Sequence, residues 1–286
     1  MLTSIFQEGY LGVYIFFVIS GFVIPYSMHV KDYSTRHFFT FLVKRTLRIE
    51  PPYVIFVLLL FCWNFWLNYL KGWGKPIMFD WKTLFLNITY LAPFFHSKWI
   101  LVIFWTLAVE FQFYILTGLT YPILCGSKVF RYVLFGIGLF VGWIIPDSYQ
   151  TVFDNYSYFI IGYLTFLHYT GRINKLEFII SGTIVLIYIY AVGIPITIPL
   201  MALTIAALYL LNFKTQISDF FGKTSYSLYL THAVVGGAIS VFTISTLSPW
   251  WRFTFAVVCS VAFSGLYYVL IEKRFLAISK KIGYRN

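Results

Sequence analysis

Long apolar runs with almost no charge dominate this sequence and restrict what it can fold into. Of its 286 residues, 60% are apolar and only 11% are charged, against about 25% charged in an average soluble domain. A soluble domain of this length could not bury so much apolar surface, and a β-barrel would show short segments of alternating polarity. The sequence therefore predicts an all-α fold, a polytopic transmembrane helical bundle that forms one domain over residues 1–286.

Stretches that could cross a bilayer recur along the chain, because a helical span needs about 20 mostly apolar residues. A shorter apolar stretch at 83–95 is interrupted by Asn87 and Pro93, so we expect it to be an interfacial or re-entrant piece of a loop. About nine spans are predicted, near residues 10–28, 52–70, 100–124, 130–146, 152–169, 177–193, 198–213, 224–246 and 252–271.

The basic residues are distributed unevenly over the loops between these spans. Most of the 21 Lys and Arg residues fall in one set of alternate loops, and cytoplasmic loops are the ones that collect such residues. The bias predicts that loop 29–51 and the C-terminus are cytoplasmic, in the inner or plasma membrane. It also explains the net charge of +11 without a nucleic-acid partner, so membrane lipids are the expected surroundings.

Two ionisable residues lie deep inside predicted spans, where they are expensive and usually functional. Glu110 and His232 fall at similar depths, and a polar face surrounds each of them at helical spacing. If the two faces meet, they form a polar pocket; otherwise Glu110 is a paired or protonated packing residue and His232 a packing histidine. The residues on the two faces are Thr106, Glu110 and Tyr114, and Ser225, Tyr229 and His232.

A basic amphipathic helix is predicted over residues 36–53, on the cytoplasmic side of the membrane. Arg45 and Arg48 lie one turn apart on its polar face and could bind phosphate groups bidentately. A plain topological anchor is the alternative.

Cys62, Cys125 and Cys259 lie far apart and show no metal-ligand or disulfide spacing, so no metal site is predicted.

Several motifs, in order and over the whole chain, make the sequence resemble the membrane acyltransferase-3 family. Each motif is modest by itself, and their order and spacing carry the resemblance. The motifs are the run 12–24, Arg45-x-x-Arg48-Ile49 followed by Pro51-Pro52-Tyr53, Trp105-x-x-x-x-Glu110-x-Gln112-Phe113-Tyr114 and Ser225-Tyr226-x-x-Tyr229-x-x-His232, with weaker matches at Phe159-x-x-Gly162 and Tyr268-x-x-x-Glu272.

The resemblance implies an O-acyltransferase that moves an acyl group, usually acetyl, from cytoplasmic acyl-CoA to a hydroxyl of a lipid-linked or cell-surface glycan. It implies no bound cofactor, because acyl-CoA is the donor substrate. His232 is then the expected base, oriented by Glu110, and Arg45 and Arg48 are expected to hold the donor phosphates. The other residues expected to bind substrate are Tyr53, Trp105, Gln112, Tyr114, Ser225 and Tyr226.

Two departures from the family pattern affect these expectations. The family normally has ten spans, the first with a catalytic His, whereas nine spans are predicted here, with the N-terminus outside and no such His. Tyr14 stands where the family often has an acidic residue. We therefore expect that a first helix is missing and that the chain is weakly active or inactive.

A proton-coupled transporter or flippase is the alternative from another functional class, because buried Glu and His residues also suit proton transport.

Overall fold

The computed structural model describes residues 10–70, 80–145, 149–210, 215–242 and 248–283, and this part of the chain is helical without any strand. The all-α prediction is confirmed. The helices are α1 (Leu11–His29), α2 (Phe38–Leu70), α3 (Trp81–Ile88), α4 (Trp105–Gly126), α5 (Lys128–Ile144), α6 (Tyr156–Tyr169), α7 (Lys175–Val192), α8 (Thr197–Leu210), α9 (Gln216–Phe242), α10 (Pro249–Tyr267) and α11 (Lys273–Lys281), with a π-helical segment at Tyr268–Glu272 between the last two.

Within the described residues, five stretches are long and apolar enough to cross a membrane. A shorter apolar helix covers Thr197–Leu210, and the predicted span ends at 146, 213 and 246 lie outside the described residues. The chain is a membrane protein, and the count of nine spans stays a prediction. The five candidates are Leu11–His29, Thr35–Trp63, Val102–Gly126, Lys175–Val192 and Pro249–Lys281.

The stretch 83–95 is as short as expected, whereas the amphipathic helix predicted over 36–53 is part of a longer helix. Helix α3 has eight residues and rises about 12 Å at 1.5 Å per residue, well short of a bilayer core of about 30 Å, as expected for the stretch 83–95. The amphipathic helix predicted over 36–53 is not separate from the next span. Both belong to the 33-residue helix α2, which continues through Pro51 and Pro52.

The described residues fall into two compact units, one within 1–42 and 79–211 and the other within 43–78 and 212–286. The prediction of one domain stays untested.

In the first unit, α1 crosses α6 at Gly21 and Gly162. A Cβ atom at Gly162 would lie 2.0 Å from the carbonyl oxygen of Val18, and one at Gly21 would lie 2.3 Å from that of Phe159. Small residues thus allow the two backbones to touch, as they do between helices in membranes.

The second unit is built on α9, α10 and the part of α2 that follows residue 42. Tyrosine hydroxyls from α9 and α10 bind the double-proline turn of α2: Tyr226 donates to the carbonyl of Ile49 at 2.7 Å, and Tyr267 donates to that of Pro52 at 2.6 Å. Proline removes backbone donors from a helix interior. These two hydrogen bonds tie the altered turn to the helices packed beside it.

Candidate functional site

Glu110 lies in the first unit, at the centre of a cluster of hydroxyl groups. Its side chain is 9% exposed. The Tyr114 hydroxyl donates to Glu110 Oε1 at 2.5 Å, from the next turn of α4. The Ser20 hydroxyl donates to the same oxygen at 3.5 Å, from α1. Glu110 and Tyr114 thus share one face of α4, as their spacing predicted, whereas Ser20 is a partner that only the packing of α1 supplies.

Trp105 and Gln112, on the same helix, have separate surroundings. The Trp105 ring packs edge-on against Phe17, with 5.9 Å between ring centroids, and it also lines a cavity at the start of α4. The side-chain oxygen of Gln112 accepts from the backbone amide of Val152 at 2.9 Å. Gln112 therefore holds the turn that leads into α6.

The two predicted donor-binding arginines lie in the second unit, on α2. Arg48 is exposed and Arg45 is half-buried. Tyr53, one turn beyond them, has no exposed surface. In this conformation Tyr53 is a packing residue, because a ligand could reach it only if neighbouring side chains moved.

The second unit also holds a buried carboxylate, Glu272, within electrostatic range of Arg48, and the prediction of site residues missed it. Glu272 is 1% exposed. It lies at the end of the π-helical segment, accepts a 2.5 Å hydrogen bond from the Ser227 hydroxyl and feels the charge of Arg48. A buried carboxylate needs such partners. The terminal Tyr268-x-x-x-Glu272 match was the available signal, but the partners of Glu272 lie far away in sequence.

The α9 motif contributes residues with different surroundings. Tyr226 is half-buried and its hydroxyl binds the carbonyl of Ile49, while Ser225 is exposed and donates to the carbonyl of Gly222 on its own helix. Tyr226 thus has a structural contact beside the arginines. A substrate-binding role for Ser225 and Tyr226 stays a prediction.

His232 is exposed, and its ring has a defined tautomer. Its Nδ1 lies 3.0 Å from the carbonyl oxygen of Leu228 and 2.9 Å from that of Tyr229. Carbonyl oxygens only accept hydrogen bonds, so Nδ1 carries the proton and Nε2 has the lone pair in the neutral ring. A general base needs such a lone pair. Glu110 belongs to the first unit and His232 to the second, and their pairing stays a prediction.

Within the described ranges, no group of three or more His, Cys, Asp or Glu residues could hold a metal ion. The three cysteines are free.

The sequence was compared with protein families, curated proteins and solved structures. A family model described as an acyltransferase domain, acyltransferase 3, matches residues 4–269. The match covers both units and all the motifs quoted above except the last residues of the terminal one. No curated protein and no solved structure matches the chain significantly.

Proposed function

The chain belongs to the acyltransferase-3 family, and on that premise we propose that it is an O-acyltransferase with acyl-CoA as donor and a sugar hydroxyl as acceptor. The proposed acyl group is acetyl, and the proposed acceptor is a lipid-linked or cell-surface glycan. The family match carries the reaction class. The surroundings of Arg48 support the donor best, because its guanidinium is exposed and available to an anion, while the nearest buried carboxylate, Glu272, interacts with it only electrostatically.

The proposed donor site uses the two arginines of α2. Guanidinium groups bind phosphate oxygens through pairs of parallel hydrogen bonds, which an ammonium group cannot reproduce. Acyl-CoA carries several phosphates and is found in the cytoplasm, where the charge distribution puts loop 29–51. Arg45 and Arg48 would therefore hold the donor at the cytoplasmic side of the membrane.

His232 is the proposed general base. Its Nε2 takes the proton of the acceptor hydroxyl, and the hydroxyl oxygen forms a bond to the thioester carbonyl carbon. The tetrahedral oxyanion then collapses, the carbon–sulfur bond breaks, and the CoA thiolate receives the proton from His232. Hydrogen-bond donors that face the oxyanion lower the barrier.

The donor site is tested by acyl transfer in proteoliposomes, with radiolabelled acetyl-CoA and a CoA thiol assay. Arg45→Ala and Arg48→Ala should each weaken donor use by about 1.5–3 kcal/mol, the value of a hydrogen bond to a charged group. Lysine at either position should restore only part of the lost donor use. Lys175→Ala removes an exposed cation elsewhere and is the control. Wild-type transfer by both alanine variants, at equal expression, would leave the arginines as topological anchors.

The base is tested in the same assay with His232→Ala. Loss of a general base typically costs about 10²–10⁴ in rate. His96→Ala changes a loop histidine and is the control. Glu110→Gln tests the expected orienting role of Glu110. CoA release without any labelled acceptor would show hydrolysis rather than transfer, and glycan movement without CoA release would favour a transporter.

The proposed location is the inner or plasma membrane, with the C-terminus in the cytoplasm. Cysteine labelling from outside the cell tests this in a variant that lacks the three native cysteines. A cysteine at Lys82, exposed at the start of α3, should be labelled, whereas one at Lys281, at the end of α11, should not. Labelling at position 281 would contradict the proposed topology.

A further inference from the structure

A polar cavity of about 300 Å³ lies within the first unit. The starts of α1, α4 and α6 surround it, together with the ends of α5 and α7. These helix ends adjoin segments that carry few Lys or Arg residues, and the charge distribution puts such segments outside the cytoplasm. The side chains that matter for its chemistry are Tyr14, Trp105, Asp154, Asn155, Ser157 and Tyr188.

Two polar side chains of this cavity are buried without a hydrogen-bond partner among the described residues. Asn155 is 8% exposed and Ser157 is 4% exposed. Asn155 occupies the N-cap position of α6, but its side chain makes no capping hydrogen bond. Their polar atoms are not fully enclosed, so they are accessible from the cavity, where a ligand could supply the hydrogen bonds that the protein itself does not make.

The rest of the cavity wall is fixed in place. The Asp154 carboxylate accepts from the Thr151 amide at 2.6 Å and from the Thr151 hydroxyl at 3.1 Å. The Tyr188 hydroxyl donates to the carbonyl of Leu139 at 3.0 Å. These contacts preorganise the cavity, so that Asn155 and Ser157 are presented to whatever occupies it.

The chemistry of the wall matches a neutral sugar. An amide and a hydroxyl can both donate to and accept from sugar hydroxyls, and aromatic rings such as those of Tyr14 and Trp105 offer apolar faces to the C–H groups of a sugar ring. The Asp154 carboxylate accepts hydroxyl donors and disfavours an anion. The volume is at the low end of the range of about 300–1,000 Å³ for small-molecule sites, which suits one or two sugar rings.

We propose that this cavity binds the acceptor sugar, with Asn155 and Ser157 as its hydrogen-bonding residues and Trp105 as an aromatic wall. The inference rests on the proposed function, since it assigns the acceptor of that reaction. Trp105 precedes Glu110 by five residues on α4, a rise of about 7 Å. The cavity therefore lies toward the end of the helix that carries the Glu110 cluster.

The test measures sugar binding without any donor. The purified chain in nanodiscs is titrated with the methyl glycosides of glucose, galactose and N-acetylglucosamine, and saturation-transfer NMR detects binding. Asn155→Ala and Ser157→Ala should each raise the Kd about tenfold, as expected for a sugar hydroxyl left without its partner. Their thermal unfolding should match wild type, because neither side chain has a partner to lose in the free protein.

Asn174→Ala is the matched control, because Asn174 is also the N-cap of a helix but its side chain accepts from the Glu177 amide at 2.8 Å. This variant should unfold more easily and keep its Kd. Wild type that binds none of the three glycosides, or an unchanged Kd in Asn155→Ala, would overturn the inference.

Sugar binding in the cavity and acyl transfer by the enzyme can fail independently of each other. Glycoside binding that depends on Asn155, without any acetyl transfer, would retain the cavity and reject the proposed function. Acetyl transfer with an unchanged acceptor KM in Asn155→Ala would retain the function and reject the cavity.

Discussion

The two ends of α7 differ in how their polar side chains are satisfied. At its first turn, the Glu177 carboxylate forms ion pairs with Lys128 at 3.2 Å and Arg131 at 3.5 Å. It also accepts a hydrogen bond from the Tyr132 hydroxyl at 2.9 Å. Asn174 caps the same turn. At the opposite end, α7 borders the cavity in which the side chains of Asn155 and Ser157 have no hydrogen-bond partner among the described residues.

The difference separates polar groups that build the fold from polar groups that we propose to bind a ligand. The Glu177 cluster joins α5 to α7, and each member named above has its partner within the chain. A fully paired cluster of this kind specifies packing, whereas a half-satisfied one is costly unless something else completes it. Substitutions in the Glu177 cluster should therefore change stability and leave sugar binding intact, and substitutions of the cavity side chains should do the reverse.

The largest effect is expected from Arg131→Met. Arg131 is 4% exposed, pairs with Glu177 and donates to the carbonyl of Leu124 at 2.6 Å. A hydrogen bond to a charged group contributes about 1.5–3 kcal/mol, and Arg131 makes two of them, so a loss of thermal stability in detergent should reveal the substitution. Lys128→Met is the control, because the Lys128 side chain is 68% exposed and such pairs contribute about 1 kcal/mol or less. Equal losses in both variants would contradict the comparison.

A second pair of variants tests the cavity end of α5 against its middle. A Cβ atom at Gly142 would lie 2.2 Å from the carbonyl oxygen of Phe153, in the turn that leads to Asn155. Gly142→Ala should cost about 1–3 kcal/mol by overpacking, and glycoside affinity should fall with it. A Cβ atom at Gly136 meets nothing within 4 Å, so Gly136→Ala should stabilise the helix by up to about 1 kcal/mol. Unchanged affinity in Gly142→Ala would show that this turn does not shape the site.

The two asparagine caps give a smaller and more direct contrast. Asn174→Ala should lower stability by about 1 kcal/mol, because it removes the acceptor for the Glu177 amide. Asn155→Ala should leave stability unchanged or raise it slightly. Chemical or thermal unfolding of both variants under one condition measures this difference in stability. A stability loss of similar size in both variants would mean that the Asn155 side chain stabilises α6.

The smallest effect concerns a charged cap, which should respond to pH where Asn174 does not. Hydrogen bonds from Thr83, through its side chain and its backbone amide, lower the pKa of the Asp80 carboxyl at the start of α3. Because the folded pKa is lowered, the contribution of this cap is present above the unfolded value of about 3.9 and is lost as pH falls through the folded value. Amide hydrogen exchange in α3, corrected for the intrinsic exchange rate, should accelerate there, and Asp80→Asn should remove this dependence on pH.

Much of the candidate site could be predicted from local sequence. Helical spacing alone brought Glu110 and Tyr114 together, and the structure confirms their hydrogen bond. The arginines of α2 were also visible, because their spacing puts both on one helical face. Nothing local identified Asn155, since an asparagine at the start of a helix ordinarily indicates a cap.

The sequence by itself determined the class of the protein and the order of its motifs. Apolar runs of sufficient length form helices in a membrane because the backbone must satisfy its own hydrogen bonds there, and this requirement is local. The partners that define each polar group were decided by the tertiary structure. Tyr226 meets Ile49 across 177 residues and Ser227 meets Glu272 across 45. Such pairs depend on which helices pack together, and helical periodicity carries no information about that choice.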